Sequence, residues 1–287
     1  MTPVAAGSTR AVLVTGCSSG IGRATAIRLA RDGWAVVATA RRLDDIADLE
    51  QQGCRVMALD VTSEASMAEA VRAIEAAYGA VSVLVNNAGY SQSGSIETVP
   101  IDLVRAQFET NVFGLARLTQ LVLPGMRRQR SGRIVNLSSM GGKLVFPGGG
   151  YYHATKYAVE ALSDALRFEV QGFGIDVIVI EPGLIRTEFS ATAVAAMENA
   201  DAPRGPYDAF HEAVARSTKE AYYKGSLAPL AGVPDDVANV IARALSARRP
   251  RTRYTVTPSA TVLMTLRRVL SDRLWDRFLA RAYPIPT

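Results

Sequence analysis

The stretch TGCSSGIG at residues 15–22 decides the fold. It begins at Thr15, the last residue of the apolar run AVLVT at 11–15, and it opens a helical run that begins at Arg23. Gly16 allows a tight exit from a strand, and Gly20 and Gly22 lack the Cβ atoms that would keep a helix N-terminus away from a pyrophosphate. The spacing is G-x-x-x-G-x-G, which departs from the general dinucleotide-binding pattern G-x-G-x-x-G. We predict a dinucleotide site because strand, turn and helix follow in the required order, and we assign to it Gly16, Ser18, Ser19, Gly20, Ile21 and Gly22.

Short apolar runs alternate with longer amphipathic stretches from residue 11 onward. The predicted strands cover residues 11–15, 35–39, 55–59, 81–85, 133–138, 175–180 and 253–257. The predicted helices cover residues 21–32, 43–52, 64–78, 100–128, 152–172, 234–247 and 260–282. This alternation is typical of βαβ units around a buried parallel sheet. We therefore predict an α/β protein: one doubly wound Rossmann domain over residues 1–287, with a seven-stranded parallel sheet and helices on both faces.

Two segments need a separate interpretation. Residues 184–230 carry several prolines and glycines between apolar patches, and an insertion of this kind is typical of a lid or substrate wall. We expect it to enclose a bulky, lipophilic substrate. Residues 259–287 contain an amphipathic helix with arginines around the apolar stripe Leu263, Leu266, Leu270, Leu274 and Phe278. Two fates remain open for the stripe: packing on the domain or on a second subunit, which we favour, or lying on an anionic membrane surface.

Composition excludes several classes of protein. The chain is 48% hydrophobic and 21% charged, with a net charge of +5, so we expect a globular protein without nucleic-acid binding. The two cysteines, Cys17 and Cys54, are too few for a disulfide framework, and His153 and His211 do not form a metal cluster. No apolar stretch is long enough for a membrane span and no secretory signal begins the chain, so we expect a cytoplasmic protein.

Further motifs occur in a fixed order along the chain. They are Asp60-Val61 after the third predicted strand, Asn86-Asn87-Ala88-Gly89 after the fourth, Asn111 in an Asn-Val-Phe-Gly run, Ser138-Ser139 after the fifth, and Tyr152-x-x-x-Lys156. With the glycine turn, they resemble the single-domain branch of the short-chain dehydrogenase/reductase family over nearly the whole chain. Two segments, Val36–Arg41 and Glu181-Pro182-Gly183, resemble the members that act on hydroxysteroids and retinol. A family resemblance of this kind does not fix the substrate.

The resemblance implies roles for particular residues. By this resemblance, Asp60 and Val61 contact the adenine end of the cofactor. Asn87, Ala88 and Gly89 form a wall of the cofactor pocket. The nicotinamide carboxamide is held by Pro182, Gly183, Ile185 and Thr187. The resemblance also implies that Ser139 binds the substrate oxygen and that Asn111 organises a water that links Lys156 to solvent. We expect a homo-oligomer, a dimer or a tetramer, that takes a small-molecule substrate.

The pair Tyr152 and Lys156 carries the predicted chemistry. Residues four apart on a helix share a face, so the ammonium can stabilise the phenolate and Tyr152 can act as general acid and base. Lowering a tyrosine pKa from roughly 10 to about 7 requires about 4 kcal/mol of preferential phenolate stabilisation. Tyr151 is a weaker choice because Thr155, its neighbour four positions on, has no charge. Ser138 remains an alternative to Ser139, and we interpret His153 as a lining or surface residue.

Arg41 and Arg42 predict the form of the cofactor. An enzyme specific for NAD places an acid at the end of the second strand, whereas this strand is followed by two arginines and no carboxylate before Asp44. We therefore predict NADP(H), with its 2′-phosphate near the arginines, and hydride transfer between NADP(H) and an alcohol or carbonyl. The alternatives are a dinucleotide sensor without catalysis, or an epimerase or enoyl reductase of the same superfamily. The complete set Asn111, Ser139, Tyr152 and Lys156 favours the oxidoreductase.

Overall fold

The seven predicted strands form one parallel sheet. The computed structural model describes residues 11–188, 205–225 and 227–285. The strands are β1 (Ala11–Val14), β2 (Ala35–Ala40), β3 (Arg55–Ala58), β4 (Val83–Asn86), β5 (Gly132–Leu137), β6 (Ile175–Pro182) and β7 (Arg253–Val256). Their order across the sheet is β3-β2-β1-β4-β5-β6-β7, and every neighbouring pair is parallel. The predicted doubly wound fold is confirmed, and its order reverses between β1 and β4, where such sheets bind ligands.

Helices cover both faces of the sheet. They are α1 (Gly20–Arg31), α2 (Glu64–Tyr78), α3 (Ile101–Phe108), α4 (Leu115–Arg128), α5 (Gly150–Val170), α6 (Asp208–Tyr223), α7 (Pro234–Ser246), α8 (Pro258–Val269) and α9 (Asp272–Leu279). Val12 and Val14 of β1 pack with α1 and α7 on one face, and Ala11 and Leu13 pack with α2 and α4 on the other. Successive residues of a strand point to opposite faces, so a strand buried on both sides is apolar throughout.

The structure corrects three predicted helices and adds one that was not predicted. Residues 43–52 form two short 3₁₀ turns instead of an α-helix, and a π-helical turn (Glu109–Gly114) separates α3 from α4 in the predicted helix 100–128. Within the insertion 184–230, the structure contains the regular helix α6. The predicted helix 260–282 is two helices, because Leu270 is extended between α8 and α9. Residues 189–204 of the insertion, with Phe189, Val194 and Met197, lie outside the described residues.

Most of the amphipathic C-terminal stripe packs on the rest of the described chain, whereas Leu274 is exposed. Leu263 of α8 and Trp275 of α9 are buried with Met140, Leu144 and Leu184 in a third apolar cluster. The Trp275 and Phe146 rings lie 6.2 Å apart between centroids. This cluster lies next to the carboxyl end of β5, so the C-terminal helices adjoin the edge of the sheet where the predicted site residues meet.

Candidate active site

One large cavity opens at the carboxyl ends of the strands. Its volume is about 1070 Å³. The predicted residues that line it are Gly16, Ser18, Ser19, Gly20, Ile21, Arg41, Asp60, Val61, Asn87, Ala88, Gly89, Ser139, Tyr152, Lys156, Pro182, Gly183, Ile185 and Thr187. Gly22, Arg42 and Asn111 do not line it. The cavity therefore joins the glycine turn to the Tyr152-Lys156 pair.

The glycine turn is held against β4 by Thr15 and Asn87. The Thr15 hydroxyl accepts hydrogen bonds from the N–H groups of Asn87 and Ala88, each at 3.0 Å, and the Asn87 amide donates to Thr15 O at 2.9 Å. Gly16 has a φ of +72°, and a Cβ on Gly22 would collide with Gly16 O. The sequence interpretation gave Thr15 no role, although a hydroxyl at the end of β1 is a signal for such a contact.

This turn fits a dinucleotide. The first residues of α1 have no side-chain cap, because Ser19 makes no capping hydrogen bond. Free N–H groups at a helix N-terminus favour the charge of a pyrophosphate, and the glycine backbone leaves room for it. The residues present therefore suit the phosphate end of a nicotinamide dinucleotide.

Of the two arginines after β2, only Arg41 lines the cavity. Its side chain is exposed. Arg42 lies 3.8 Å from the Asp45 carboxylate, with 74% of its side chain exposed. The 3₁₀ turn at Leu43–Asp45 brings Asp45 to Arg42. The predicted role of Arg42 beside the cofactor is therefore not supported by its position.

The Asp60 carboxylate also lies in the cavity. It accepts hydrogen bonds from the backbone N–H and the hydroxyl of Thr62, at 2.9 and 2.7 Å. These two bonds fix the carboxylate just after β3, and Arg41, which also lines the cavity, follows the neighbouring strand β2.

Tyr152, Ser139 and Lys156 meet in the cavity. Ser139 shares a hydrogen bond with the Tyr152 phenol. The Lys156 ammonium donates to Leu137 O at 2.7 Å and lies 5.7 Å from the centre of the Tyr152 ring. Burial lowers the pKa of Lys156 to about 8, although the negative charge of Glu160 acts in the opposite direction. Both side chains therefore lie in a poorly solvated environment, where charge interactions are stronger.

Burial raises the pKa of Tyr152 above its usual value of 10, and the hydrogen bond with Ser139 opposes this effect. Tyr222 raises the pKa further by charge repulsion. The spacing of Tyr152 and Lys156 led us to expect a lowered pKa. Desolvation reverses that direction because it penalises the phenolate.

Asn111 supports the site from the π-helical turn. Its amide donates to Tyr90 O at 2.9 Å and to the Thr155 hydroxyl at 3.1 Å, and its oxygen accepts from the Tyr90 N–H at 3.1 Å. The Thr155 hydroxyl in turn donates to Tyr152 O at 2.7 Å. Asn111 thus connects the segment after β4 to the helix that carries Tyr152 and Lys156.

His153 is buried and lines the cavity, which is the first of the two positions expected for it and not the second, a surface one. Its Nδ1–H donates to Gly141 O at 3.1 Å, and its Nε2 accepts from the Phe146 N–H at 3.2 Å. Both contacts require the neutral ring, and burial lowers its pKa to about 4. His153 therefore holds the 141–146 segment, which follows Ser139, against α5.

Tyr151 and Ser138, the alternatives to Tyr152 and Ser139, do not lie free in the site, and neither does Cys17. The Tyr151 hydroxyl donates to Ile96 O at 3.0 Å, on the loop before α3. The Ser138 hydroxyl is buried and has no hydrogen-bond partner among the described residues. Cys17 packs in its turn as predicted, and burial raises the pKa of its thiol to about 12, which makes it unreactive.

One face of α6, inside the insertion that the sequence interpretation expected to enclose the substrate, forms a wall of the cavity, although no regular helix was predicted there. This α6 wall consists of Val214, Ser217, Thr218, Ala221 and Tyr222. Their spacing repeats every three to four residues, as on one face of a helix. The C-terminal segment adds Leu263 and Tyr283 to the lining, and the Ser217 hydroxyl donates to Ala282 O at 3.3 Å.

Arg186 connects this wall to the predicted nicotinamide segment. Its guanidinium donates to Tyr222 O at 3.1 Å and to Ala228 O at 2.8 Å. Its neighbours Ile185 and Thr187 line the cavity. Arg186 therefore fixes the C-terminal end of α6 to the segment after β6, a role that the motif alone did not indicate.

Comparisons with known proteins identify the family. The family described as short chain dehydrogenase matches residues 10–198, more than half of the chain. The uncharacterized oxidoreductase YbbO of Escherichia coli strain K12 is 35% identical over 275 residues, which cover 94% of each protein. Human retinol dehydrogenase 8 is 35% identical over 280 residues, which cover 93% of this chain and 88% of that protein. The chain belongs to the short-chain dehydrogenase family of oxidoreductases.

Solved structures agree with this assignment. A short-chain dehydrogenase from Streptomyces avermitilis has a TM-score of 0.78 and 34% identity, covering 95% of this chain and 96% of that one. Serine dehydrogenase in complex with NADP+ has a TM-score of 0.74 and 28% identity, covering 86% and 94%. A family member from Burkholderia phymatum in complex with NAD has a TM-score of 0.77 and 26% identity, covering 98% and 97%. These similar structures support a nicotinamide dinucleotide as cofactor.

Proposed function

We propose that this protein transfers hydride between NADP(H) and the alcohol or carbonyl carbon of a bulky, lipophilic small molecule. The observation that carries the proposal is one cavity that contains the glycine turn together with Ser139, Tyr152 and Lys156. The bound nicotinamide supplies the hydride for reduction and accepts it in oxidation. The glycine turn, Asp60, Asn87 to Gly89 and the segment Pro182–Thr187 would hold the dinucleotide.

Tyr152 is the proton donor and acceptor in this proposal. In reduction, its hydroxyl gives a proton to the carbonyl oxygen, and Ser139 donates a second hydrogen bond to the same oxygen. The Lys156 ammonium, held by Leu137 O, stabilises the phenolate that remains. In the oxidation direction the phenolate removes the proton from the substrate hydroxyl. Asn111 acts through its hydrogen bonds with Tyr90 and Thr155 and is a positioning residue.

The preference for NADP(H) rests on Arg41. An exposed guanidinium that lines the cavity just after β2, the strand next to β3, suits the 2′-phosphate of NADP(H). The described lining contains no carboxylate at the end of β2 that would bind the free ribose hydroxyl of NAD.

The proposal of a lipophilic substrate is based on the residues that line the second half of the cavity. Leu184, Leu227 and Leu263 line it with Phe146 and the α6 wall. A site that buries this much apolar surface favours a large apolar molecule. The likeness to a retinol dehydrogenase supports the same class of substrate.

A homo-oligomer is also part of the proposal. Tyr157, Leu162 and Phe168 of α5 are large apolar side chains exposed on one protomer, with Phe168 78% exposed. Apolar surface of this kind is typical of a subunit interface. Light scattering coupled to size exclusion should give the mass of a dimer or a tetramer, and a monomer at micromolar concentration would contradict this part.

The experiment that tests the function is a substrate screen. Large cyclic and long-chain ketones and aldehydes, with cyclohexanone as the small control, are incubated with NADPH while its absorbance is followed. We expect NADPH oxidation with the large compounds and higher kcat/KM than with cyclohexanone. Binding of NADPH without turnover of any carbonyl compound, and without oxidation of the matching alcohols, would contradict the proposal and favour a sensor.

We found no helix among the described residues that is both long and apolar enough to cross a membrane.

A further inference from the structure

Tyr222 is a second phenol in the active-site cavity. It lies at the C-terminal end of the α6 wall, and its ring also packs against the apolar C-terminal cluster that contains Trp275. Tyr152 and Tyr222 are close enough for charge on one to affect the other. Burial raises the pKa of Tyr222 to about 12, so it is a neutral hydrogen-bonding group throughout the physiological range.

The Tyr222 hydroxyl makes no hydrogen bond to any residue of the described chain. Tyr151 and Tyr207, by contrast, donate to Ile96 O and to the Glu97 carboxylate. The backbone of Tyr222 is fixed, because its carbonyl accepts the bond from Arg186. Tyr222 is partly buried and lines the cavity, so the cavity is the side from which a substrate group can reach its hydroxyl.

The α6 wall also restricts the chemistry of that partner. Its side chains are apolar or carry hydroxyls, and none is charged. Leu263 and Tyr283, from the C-terminal segment, add no charge either. A carboxylate or a phosphate on this side would be desolvated without a cation, which is unfavourable. A neutral oxygen suits the wall, and a phenol can donate to a carbonyl or pair with a hydroxyl.

We propose that Tyr222 determines specificity by binding a second, uncharged oxygen of the substrate, a hydroxyl or a carbonyl group that lies on the α6 side of the reacting carbon. This inference rests on the proposed oxidoreductase function and narrows its substrates to neutral, lipophilic carbonyl compounds with two oxygen functions. Tyr152 and Ser139 bind the reacting oxygen and Tyr222 binds the other.

The test compares a large monoketone with a series in which the same ketone carries one hydroxyl group at increasing distance from the reacting carbon. The wild type should show a kcat/KM about tenfold higher for at least one hydroxyketone than for the parent, as one good hydrogen bond allows. Tyr222→Phe should remove this preference, mainly through a higher KM for that hydroxyketone, so that the variant reduces the hydroxyketone and the parent ketone with equal kcat/KM. Titration calorimetry should show a matching rise in the Kd of that hydroxyketone.

Tyr223→Phe is the matched control. This neighbouring tyrosine is 58% exposed and does not line the cavity, so the preference should persist. Tyr222→Phe that keeps the preference, or a wild type that reduces all members of the series equally, overturns the inference and leaves the proposed function intact. A wild type that binds NADPH but reduces no member, the parent included, contradicts the proposed function itself and with it the inference.

Discussion

The Lys156 ammonium lies 5.7 Å from the centre of the Tyr152 ring, one turn further along α5. It is held there by its hydrogen bond to Leu137 O at the end of β5. The two residues thus have a fixed geometry that depends on both the helix and the sheet. Since burial, and to a smaller extent Tyr222, raise the pKa of Tyr152, the stabilisation of a phenolate depends on positive charge at this distance.

Tyr152→Phe should reduce kcat by roughly 100- to 10,000-fold, the usual contribution of general acid-base catalysis. The phenyl ring preserves the shape of the site, so the Kd of NADPH, measured by fluorescence titration, should stay within about threefold. Tyr151→Phe is the control, because Tyr151 donates to Ile96 O and not to the catalytic group. Retention of more than a tenth of the wild-type kcat by Tyr152→Phe would show that another group donates the proton.

Arg41→Ala should remove most of the preference for NADPH. A charge-assisted hydrogen bond contributes about 1.5 to 3 kcal/mol, so the ratio of kcat/KM for NADPH to that for NADH should fall by about ten- to a hundredfold. Arg42→Ala should change the ratio by less than about threefold, because Arg42 lies outside the cavity, near Asp45. Equal kcat/KM for the two cofactors in the wild type would contradict the predicted preference.

His153 should make the protein less stable as the pH falls from 6.5 towards 4. The unfolded ring binds a proton near pH 6.5 and the folded ring only near pH 4, so the unfolded state takes up more protons in this window. Between pH 7 and pH 5 the free energy of unfolding should fall by about 2 kcal/mol from this residue.

Urea unfolding at the two pH values measures this effect. His153→Gln should show a pH dependence smaller by that amount than the wild type. The same dependence in both proteins would mean that His153 is protonated equally in the folded and unfolded states.

Trp275→Ala should lower the free energy of unfolding by about 3 to 5 kcal/mol, as expected for a large buried side chain. Trp275 is 4% exposed and contacts Phe146 and Phe278, with ring centroids at 6.2 and 5.2 Å. Leu274→Ala, at a residue that is 47% exposed, is the control and should cost less than about 1 kcal/mol. Similar small losses in both variants, measured by urea unfolding, would show that the C-terminal helices do not pack on the domain in solution.

The sheet and the residues around Tyr152 were predictable because their signals are local. The glycine turn and the Tyr152-Lys156 spacing each lie within eight residues, and parallel strands bring their carboxyl ends together without further information. The sequence could not show that Arg41 lines the cavity and Arg42 does not, since the direction of the Arg42 side chain depends on the 3₁₀ turn that follows.

The helical form of the α6 wall and the break between α8 and α9 were not predictable for a different reason. Helix α6 is bounded by Gly205, Pro206 and Gly225. Because these residues are typical of loops, the amphipathic pattern between them was not interpreted as a helix. The apolar period of α8 continues into α9, so it gives no sign of the extended residue Leu270. Both features depend on contacts with distant parts of the chain, such as Arg186 with Tyr222 and Trp275 with Phe146.

The π-helical turn at Glu109–Gly114 carries the one extra residue of this helical region. A π turn holds one residue more than an α turn, and such turns are frequent at functional sites. Deleting one residue, such as the exposed Phe113, would convert the turn into an ordinary α turn, so α3 and α4 would keep their buried faces. The change would fall on Asn111 inside the turn, which would lose its hydrogen bonds with Tyr90 and Thr155. The extra residue is therefore a requirement of the site and not of the hydrophobic core, and a deletion that evolution tolerates for the fold would damage the position of Asn111.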